Sequence, residues 1–323
     1  MKIAIIGAGA MGSLFACFLH RAGHETWLFD KDEERVRAIQ EGGLVLEDLD
    51  GMHRISISTV TAVARDIGAA DLVIVFVKSH DTAVAVGSAG AVFGDATLVL
   101  TLQNGLNNLE TIAAVTGQEG LLGGTTAHGA TLLGHGRIRH AGSGETVIGA
   151  FGRVGTGELD AVAGLFNRAG ITTAVTGDLT ATLWMKLIIN AAINPLTALT
   201  GFCNGEIIEQ PGLADVQDRL VKEACAVAEA RGIRINAGDA MAMVRDVCRR
   251  TAANQSSMLQ DVLNRRRTEI DAINGAIAAA GEACGVSVPY HTVMTRLVKA
   301  LELSRLSGEG DTRQSGTARP PSP

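Results

Sequence analysis

Short apolar runs alternate with helix-period stretches through the first half of the chain, whereas the second half holds helix-period stretches alone. Residues 3–6 (IAII) form a run of the buried-strand type. A glycine turn, an apolar helix over 13–22 and a second strand over 26–29 follow it. Residues 72–77 (LVIVFV), introduced by Asp71, and 97–102 (TLVLTL) read as further buried strands, with 83–93 and 106–115 as crossover helices. Apolar strands alternating with helices predict a parallel sheet covered on both faces. From residue 123 the pattern changes to GGTTAHGA, HGRIRHAGSG and TVIGAF, which suits short β segments joined by turns. A helix over 158–169 and a strand over 171–175 close this part, with Thr176-Gly177-Asp178 as the hinge. Beyond it, 179–199, 212–231, 237–251, 257–284 and 292–303 are Ala/Leu/Val-rich at helical period. The expected architecture is an α/β domain with a mostly parallel sheet over 1–176, followed by an all-α domain over 177–304. The remainder, 305–323, ends in GEGDTRQSGTARPPSP and is too polar and rich in Pro and Gly to fold, so disorder is expected there.

Composition narrows the function classes. A chain of 323 residues with 46% hydrophobic content can build two cores. Its formal net charge of −6 and 3% aromatic content argue against a nucleic-acid partner, so an anionic small molecule would have to be held by locally placed donors. The cysteines Cys17, Cys203, Cys225, Cys248 and Cys284 are an odd set without a CxxC pair, which reads as reduced thiols of a cytoplasmic protein and as no metal site. His128, His135 and His140 lie in the hairpin-like region without a ligand spacing and are read as structural. The most apolar long stretch, 181–199, contains Lys186, Asn190, Asn194 and Pro195 and is not a membrane span. The first strand begins at Lys2, which leaves no cleavable leader ahead of the glycine turn.

Three stretches carry chemistry. The turn Gly7-Ala8-Gly9-Ala10-Met11-Gly12 leaves a strand, opens a helix and is followed by Asp30 at the end of the next strand, which is the context of a dinucleotide-binding fingerprint. There Gly7 permits the tight turn, Gly9 lets the backbone approach a pyrophosphate, and Gly12 allows close packing of helix on strand. In WMKLIINAAINPLTAL, Lys186, Asn190 and Asn194 recur at i, i+4 and i+8, so one face of an apolar helix carries an ammonium and two amides. A snorkelling lysine beside two structural amides is the bland alternative. In NQSSMLQD, Ser257 and Gln260 read as a capping box at a helix start, a ready carboxylate site. Glu269, after Arg265-Arg266-Arg267, reads by default as part of a solvated helix face.

GAGAMG, VKSHD, QNG, WMKLIINAAINPLTAL, NQSSMLQD and RRTEIDAING together resemble the motif series of the ketopantoate reductases (2-dehydropantoate 2-reductases), in order and spacing over about residues 1–300. The resemblance implies an N-terminal Rossmann domain, a helical C-terminal domain with the active site in the cleft between them, and NADPH-dependent reduction of 2-dehydropantoate to (R)-pantoate, a step towards pantothenate. By position, Lys186 matches the catalytic lysine that protonates the carbonyl oxygen. Glu269 matches the glutamate beside that lysine and the substrate, and is counted with the cofactor contacts as well. Asn190, Asn194, Asn254 and Ser257 match residues that bind the substrate's hydroxyl and carboxylate, and Asn104 one that reaches both substrate and cofactor. Lys31 and Lys78 fall where the family holds the adenosine 2′-phosphate. Two positions depart from the pattern. Asp30 before Lys31 looks like an NAD-type acid, and Asp81 stands where many members have a glutamine, which keeps NADH open beside NADPH. A reductase of another bulky 2-oxo acid and a non-enzymatic dinucleotide sensor are the alternative functions; the sensor would have no use for Lys186, Asn190, Asn194 and Glu269 together. A homodimer is left open.

Overall fold

Both faces of β1 (Lys2–Ile6) are buried, and alternation along it divides the core of the N-terminal part in two. Ile3 and Ile5 join Phe15, Leu19 and Phe166 on one side, while Ala4 and Ile6 join Val73, Val75, Val86 and Ile112 on the other. Strands buried on both faces are what a parallel sheet between helix layers requires. The computed structural model of the protein describes residues 1–48 and 50–306.

After β1 come α1 (Ala10–Arg21), β2 (Glu25–Phe29), α2 (Glu33–Gly42), β3 (Leu44–Asp48), β4 (Gly51–Ile55), β5 (Val60–Thr61), α3 (Ala64–Ile67), β6 (Leu72–Val75), α4 (Thr82–Ser88), β7 (Leu98–Thr101) and α5 (Asn108–Thr116). The expected β-rich stretch supplies β8 (Leu121–Thr126), β9 (Gly129–Gly134), β10 (Arg137–Gly142) and β11 (Thr146–Ala150), and α6 (Thr156–Arg168) and β12 (Thr173–Val175) follow. Eight strands form one sheet in the order β12-β11-β8-β7-β6-β1-β2-β5, parallel except for β8 against β11. The second sheet, β4-β3-β10-β9, joins the β9–β10 hairpin to β3 and β4, a pair that the apolar pattern did not announce.

The helical part runs through α7 (Leu179–Thr200), α8 (Asn204–Glu209), α9 (Pro211–Ala230), α10 (Ala237–Arg250), α11 (Ser257–Leu263), α12 (Ala276–Cys284) and α13 (Pro289–Leu306). Both α9 and α13 begin on a proline, whose missing N–H costs nothing in the first turn. The single helix expected over 257–284 is broken. Arg265 takes φ 53°, the backbone N–H of Thr268 is claimed by the Glu302 carboxylate at 2.6 Å, and helix resumes through a π turn at Asp271–Gly275. The tail expected to be disordered lies outside the described residues, except for Arg305 and Leu306, which belong to α13.

The chain divides into two compact units, one of residues 1–188 with 228–236, the other of 189–227 with the residues from 237 on. The division falls inside α7 rather than at the hinge expected near residue 177, because Leu179 is buried in the core of the first unit with Leu109 and Ile112, and Leu183 packs against it. Among the described residues no helix is long and apolar enough to cross a membrane.

Two buried histidines couple folding to pH. His128 Nδ1 lies 3.0 Å from His140 Nε2, whose ring Nδ1 is 3.2 Å from the Asp48 carboxylate; His291 is fully buried in the second unit. Burial pushes the pKa of each down to about 4 from an ordinary 6.5, for His128 with help from His140. The folded protein therefore keeps both neutral while the unfolded chain takes up protons below pH 6.5. Stability should be unaffected by them above that pH and fall between 6.5 and about 4, by roughly 3 kcal/mol for each at most. Urea midpoints at pH 7.5 and 4.5 check this: a lower midpoint at pH 4.5, with a shallower pH slope in His128→Phe, is expected, and equal midpoints would contradict it.

Candidate active site

The glycine turn between β1 and α1 has one residue conformation forced by the chain and one left open. Gly7 has φ +104°, and a Cβ there would lie 3.0 Å from the backbone nitrogen of Val77. At Gly12 a Cβ would lie 1.9 Å from the Gly7 carbonyl oxygen, so no other residue lets α1 approach β1 this closely. Gly9 differs: a Cβ would meet nothing within 4 Å. Its N-cap position has no side-chain cap, and the first turn of α1 holds no acid. The N–H groups of Ala10, Met11 and Gly12 have no intrahelical partner and point, with the positive end of the helix dipole, to that open side. A pyrophosphate fits these donors. The Ala8 N–H does not belong to them, because it donates to the Asp30 carboxylate at 2.7 Å.

Asp30 is thus a buried brace as well as a candidate ribose acceptor. It also accepts from the Asp32 N–H at 3.0 Å and pairs with the Arg35 guanidinium at 2.8 Å. Lys31 is exposed and pairs with Asp81 at 3.0 Å, from the turn after β6 that Lys78 opens. The turns after β6 and β7 are cross-braced: the Asn104 carbonyl accepts from Ser79 Oγ and Asn108 Nδ2, and Gln103 Nε2 donates to the Val77 carbonyl and to Thr82. A cavity of about 210 Å³ beside Gln103 is lined by Thr101, Leu183, Trp184 and Arg231 among others, but by none of the candidate site residues.

On α7, Lys186, Asn190 and Asn194 keep their i, i+4, i+8 spacing, with Pro195 inside the helix. Lys186 is partly buried, its Nζ donates to the Thr126 carbonyl at 3.4 Å, and desolvation holds its pKa below the ordinary lysine value. Asn190 and Asn194 are buried. Lys186, Asn104 and the glycine turn belong to the first unit; Asn190, Asn194, Asn254, Ser257 and Glu269 belong to the second.

The helix start at α11 differs from its reading in the sequence. Ser256, not Ser257, is the N-cap: its buried Oγ accepts the Leu259 N–H at 3.1 Å, while Ser257 and Asn254 are exposed. Ser256 Oγ also lies 2.6 Å from Thr197 Oγ, which donates to the Asn194 carbonyl at 2.9 Å; the Ser256 hydroxyl must then donate to Thr197. Adjacent serines gave both alignments of a cap, and burial decides between them. Glu269 is buried rather than part of a solvated face, and it lies between α11 and the π turn rather than within a helix. Arg265, Arg266 and Arg267 before it are exposed, as a charge run should be. Among the described residues no cluster of His, Cys, Asp and Glu could hold a metal ion, and all five cysteines are free.

Known proteins match most of the chain. Residues 3–153 match the family model described as ketopantoate reductase PanE/ApbA, and 178–302 that of its C-terminal part. A 2-dehydropantoate 2-reductase of Halobacterium salinarum is 36% identical over 93% of this chain and 98% of its own length. One from Vibrio cholerae is 33% identical over 94% and 99%. The crystal structure of a PanE/ApbA family ketopantoate reductase from Ralstonia eutropha superposes with a TM-score of 0.86 at 33% identity, covering 94% of this chain and 99% of that one. A ternary structure of D-mandelate dehydrogenase with NADH and anilino(oxo)acetate superposes with a TM-score of 0.90 at 29% identity and the same coverage.

The reassigned cap makes a prediction that separates neighbouring serines. Ser256→Ala should destabilise the protein by about 0.5–2 kcal/mol through the lost cap, whereas Ser257→Ala should leave the thermal midpoint within a degree or so. A lower midpoint in Ser257→Ala with none in Ser256→Ala would return the cap to Ser257, and equal effects would contradict a cap at Ser256 alone.

Proposed function

The chain belongs to the ketopantoate reductase family, and from that premise we propose that it reduces 2-dehydropantoate to (R)-pantoate with a nicotinamide dinucleotide. The observation that carries the reading is Lys186: an ammonium made more acidic by desolvation, on the helix face that continues into two buried amides. When bound, the dinucleotide supplies a hydride to the carbonyl carbon. The negative charge that builds on the carbonyl oxygen needs a cationic donor, and Lys186 gives that oxygen its proton. Its lowered pKa reduces the cost of the transfer, and the Thr126 carbonyl keeps the ammonium from wandering towards solvent. Asn190 and Asn194 orient the hydroxyl and carboxylate, with Asn254 and exposed Ser257 at the rim and Glu269 beside the reacting groups. Asn104 serves substrate and cofactor alike. A cytoplasmic location goes with this reading, since five free thiols suit a reducing compartment.

The cofactor choice turns on the end of β2. The expectation of NADPH needed Asp30 free to turn away and Lys31 free to meet a 2′-phosphate. Asp30 is instead held by three donors, and Lys31 and Arg35 each already answer a carboxylate. A dianionic phosphate would have to displace Asp81 and approach Asp30, so we favour NADH. The same Asp30 geometry favours a second reading, reduction of another bulky 2-oxo acid, because D-mandelate dehydrogenase with NADH is among the similar solved structures.

Steady-state rates with 2-dehydropantoate, phenylglyoxylate and smaller 2-oxo acids, each with NADH and NADPH, test both points. The highest kcat/KM is expected for 2-dehydropantoate with NADH, and Asp81→Asn should shift the cofactor ratio towards NADPH by about tenfold through release of Lys31. Preference for phenylglyoxylate would establish the second reading, and a wild type that favours NADPH would remove Asp30 as the deciding group.

A further inference from the structure

Pro195 stands inside α7. Proline has no N–H, so the carbonyl four residues back, that of Ala191, loses its intrahelical donor. Ala191 is fully buried and lies between Asn190 and Asn194, and a buried acceptor without a partner is costly. The missing donor comes from another element. Asn274, in the π turn, places Nδ2 3.0 Å from the Ala191 carbonyl oxygen.

The orientation of that amide is fixed through His291. The Leu220 carbonyl, 2.9 Å from His291 Nε2, can only accept, so Nε2 carries the ring proton. Burial keeps the ring neutral, which leaves a lone pair on Nδ1, 3.1 Å from the same Asn274 Nδ2. Both protons of the Asn274 amide are therefore committed, one to His291 and one to Ala191. Its Oδ1 remains buried without a partner. Asn274 and His291 are both fully buried. A buried polar chain that leaves one acceptor unsatisfied is a poor device for stability alone. It does fix where a proline-broken helix turn sits. Gln217 adds a longer bond, 3.4 Å, to the next carbonyl, that of Ala192.

We infer that Asn274, oriented by His291, is a positioning residue of the reaction: it supplies the donor that Pro195 withholds and so sets the placement of Asn190 and Asn194 on the oxo acid. The inference rests on the proposed reduction for its effect on substrate, but the coupling between Pro195 and Asn274 can be read without any substrate.

The experiment is a double-mutant cycle of Asn274→Leu and Pro195→Ala in the full chain. Alanine at 195 restores the N–H that Ala191 needs. Asn274→Leu alone should raise KM for the oxo acid by about tenfold, with kcat changed less and the dissociation constant of the dinucleotide unchanged. In the Pro195→Ala background the same substitution should raise KM by less than about threefold. Urea midpoints should show the same sign of coupling. If Asn274→Leu does not fold, the double variant should; its failure to fold as well would overturn the inference. So would equal KM ratios in both backgrounds, or a KM that does not move. A wild type inactive on every 2-oxo acid, with Pro195–Asn274 coupling still present in the midpoints, would overturn the proposed function and the effect on substrate while leaving the pairing intact.

Discussion

Buried polar groups are stable only when their partners are in place, and α7 concentrates that demand in one helix. Nine of its 22 residues are core hydrophobics, yet it also carries a partly buried ammonium, two buried amides and a proline-freed carbonyl. The ammonium and two backbone carbonyls have partners in place. The Thr126 carbonyl meets Lys186, Asn274 meets Ala191, and Thr197 with Ser256 ties the Asn194 carbonyl to the start of α11. Placement of the candidate site is therefore a consequence of satisfying α7. The β8 end serves the part of α7 in the first unit, and the π turn and the α11 cap serve the part in the second.

The glycine turn obeys a different constraint. It depends on missing side chains: Gly7 for its dihedral, Gly12 for the approach of α1 to β1, while Gly9 leaves open space. Asp30 then serves two tasks at once, capping the Ala8 N–H and closing a charge pair with Arg35. With Lys31 on Asp81 as well, Lys31 and Arg35 near the end of β2 are each matched by a carboxylate.

Local patterns in the sequence predicted what local physics decides. The strand–turn–helix at the N-terminus, the parallel sheet and the α-helical second half follow from periodicity, and the i, i+4, i+8 face of α7 was visible because helix geometry alone creates it. What stayed hidden depends on contacts distant in sequence. Nothing near residue 257 says that Thr197 will select Ser256 as the cap, and nothing near 268 that Glu302 will take its N–H and end a helix. Arg35 and Asn274 were missed for the same reason, although Pro195 in an apolar helix was a signal that some donor had to be found for residue 191. The β3–β4 pair escaped because LVLED and GMHRI are short and mixed in polarity, and β3 joins a hairpin strand some ninety residues away in the chain (Glu47 with Arg139).

The central claim, that Lys186 is the proton donor of a carbonyl reduction, is tested most directly by the pH dependence of kcat/KM in wild type and Lys186→Ala. Only the ammonium can donate, and desolvation lowers its pKa from 10.5. The wild-type rate should hold at lower pH and fall as pH rises through that lowered pKa, whereas Lys186→Ala should be slower by about 10²–10⁴-fold and lack this limb. The same limb in the alanine variant, or near-wild-type turnover without the lysine, would contradict the account.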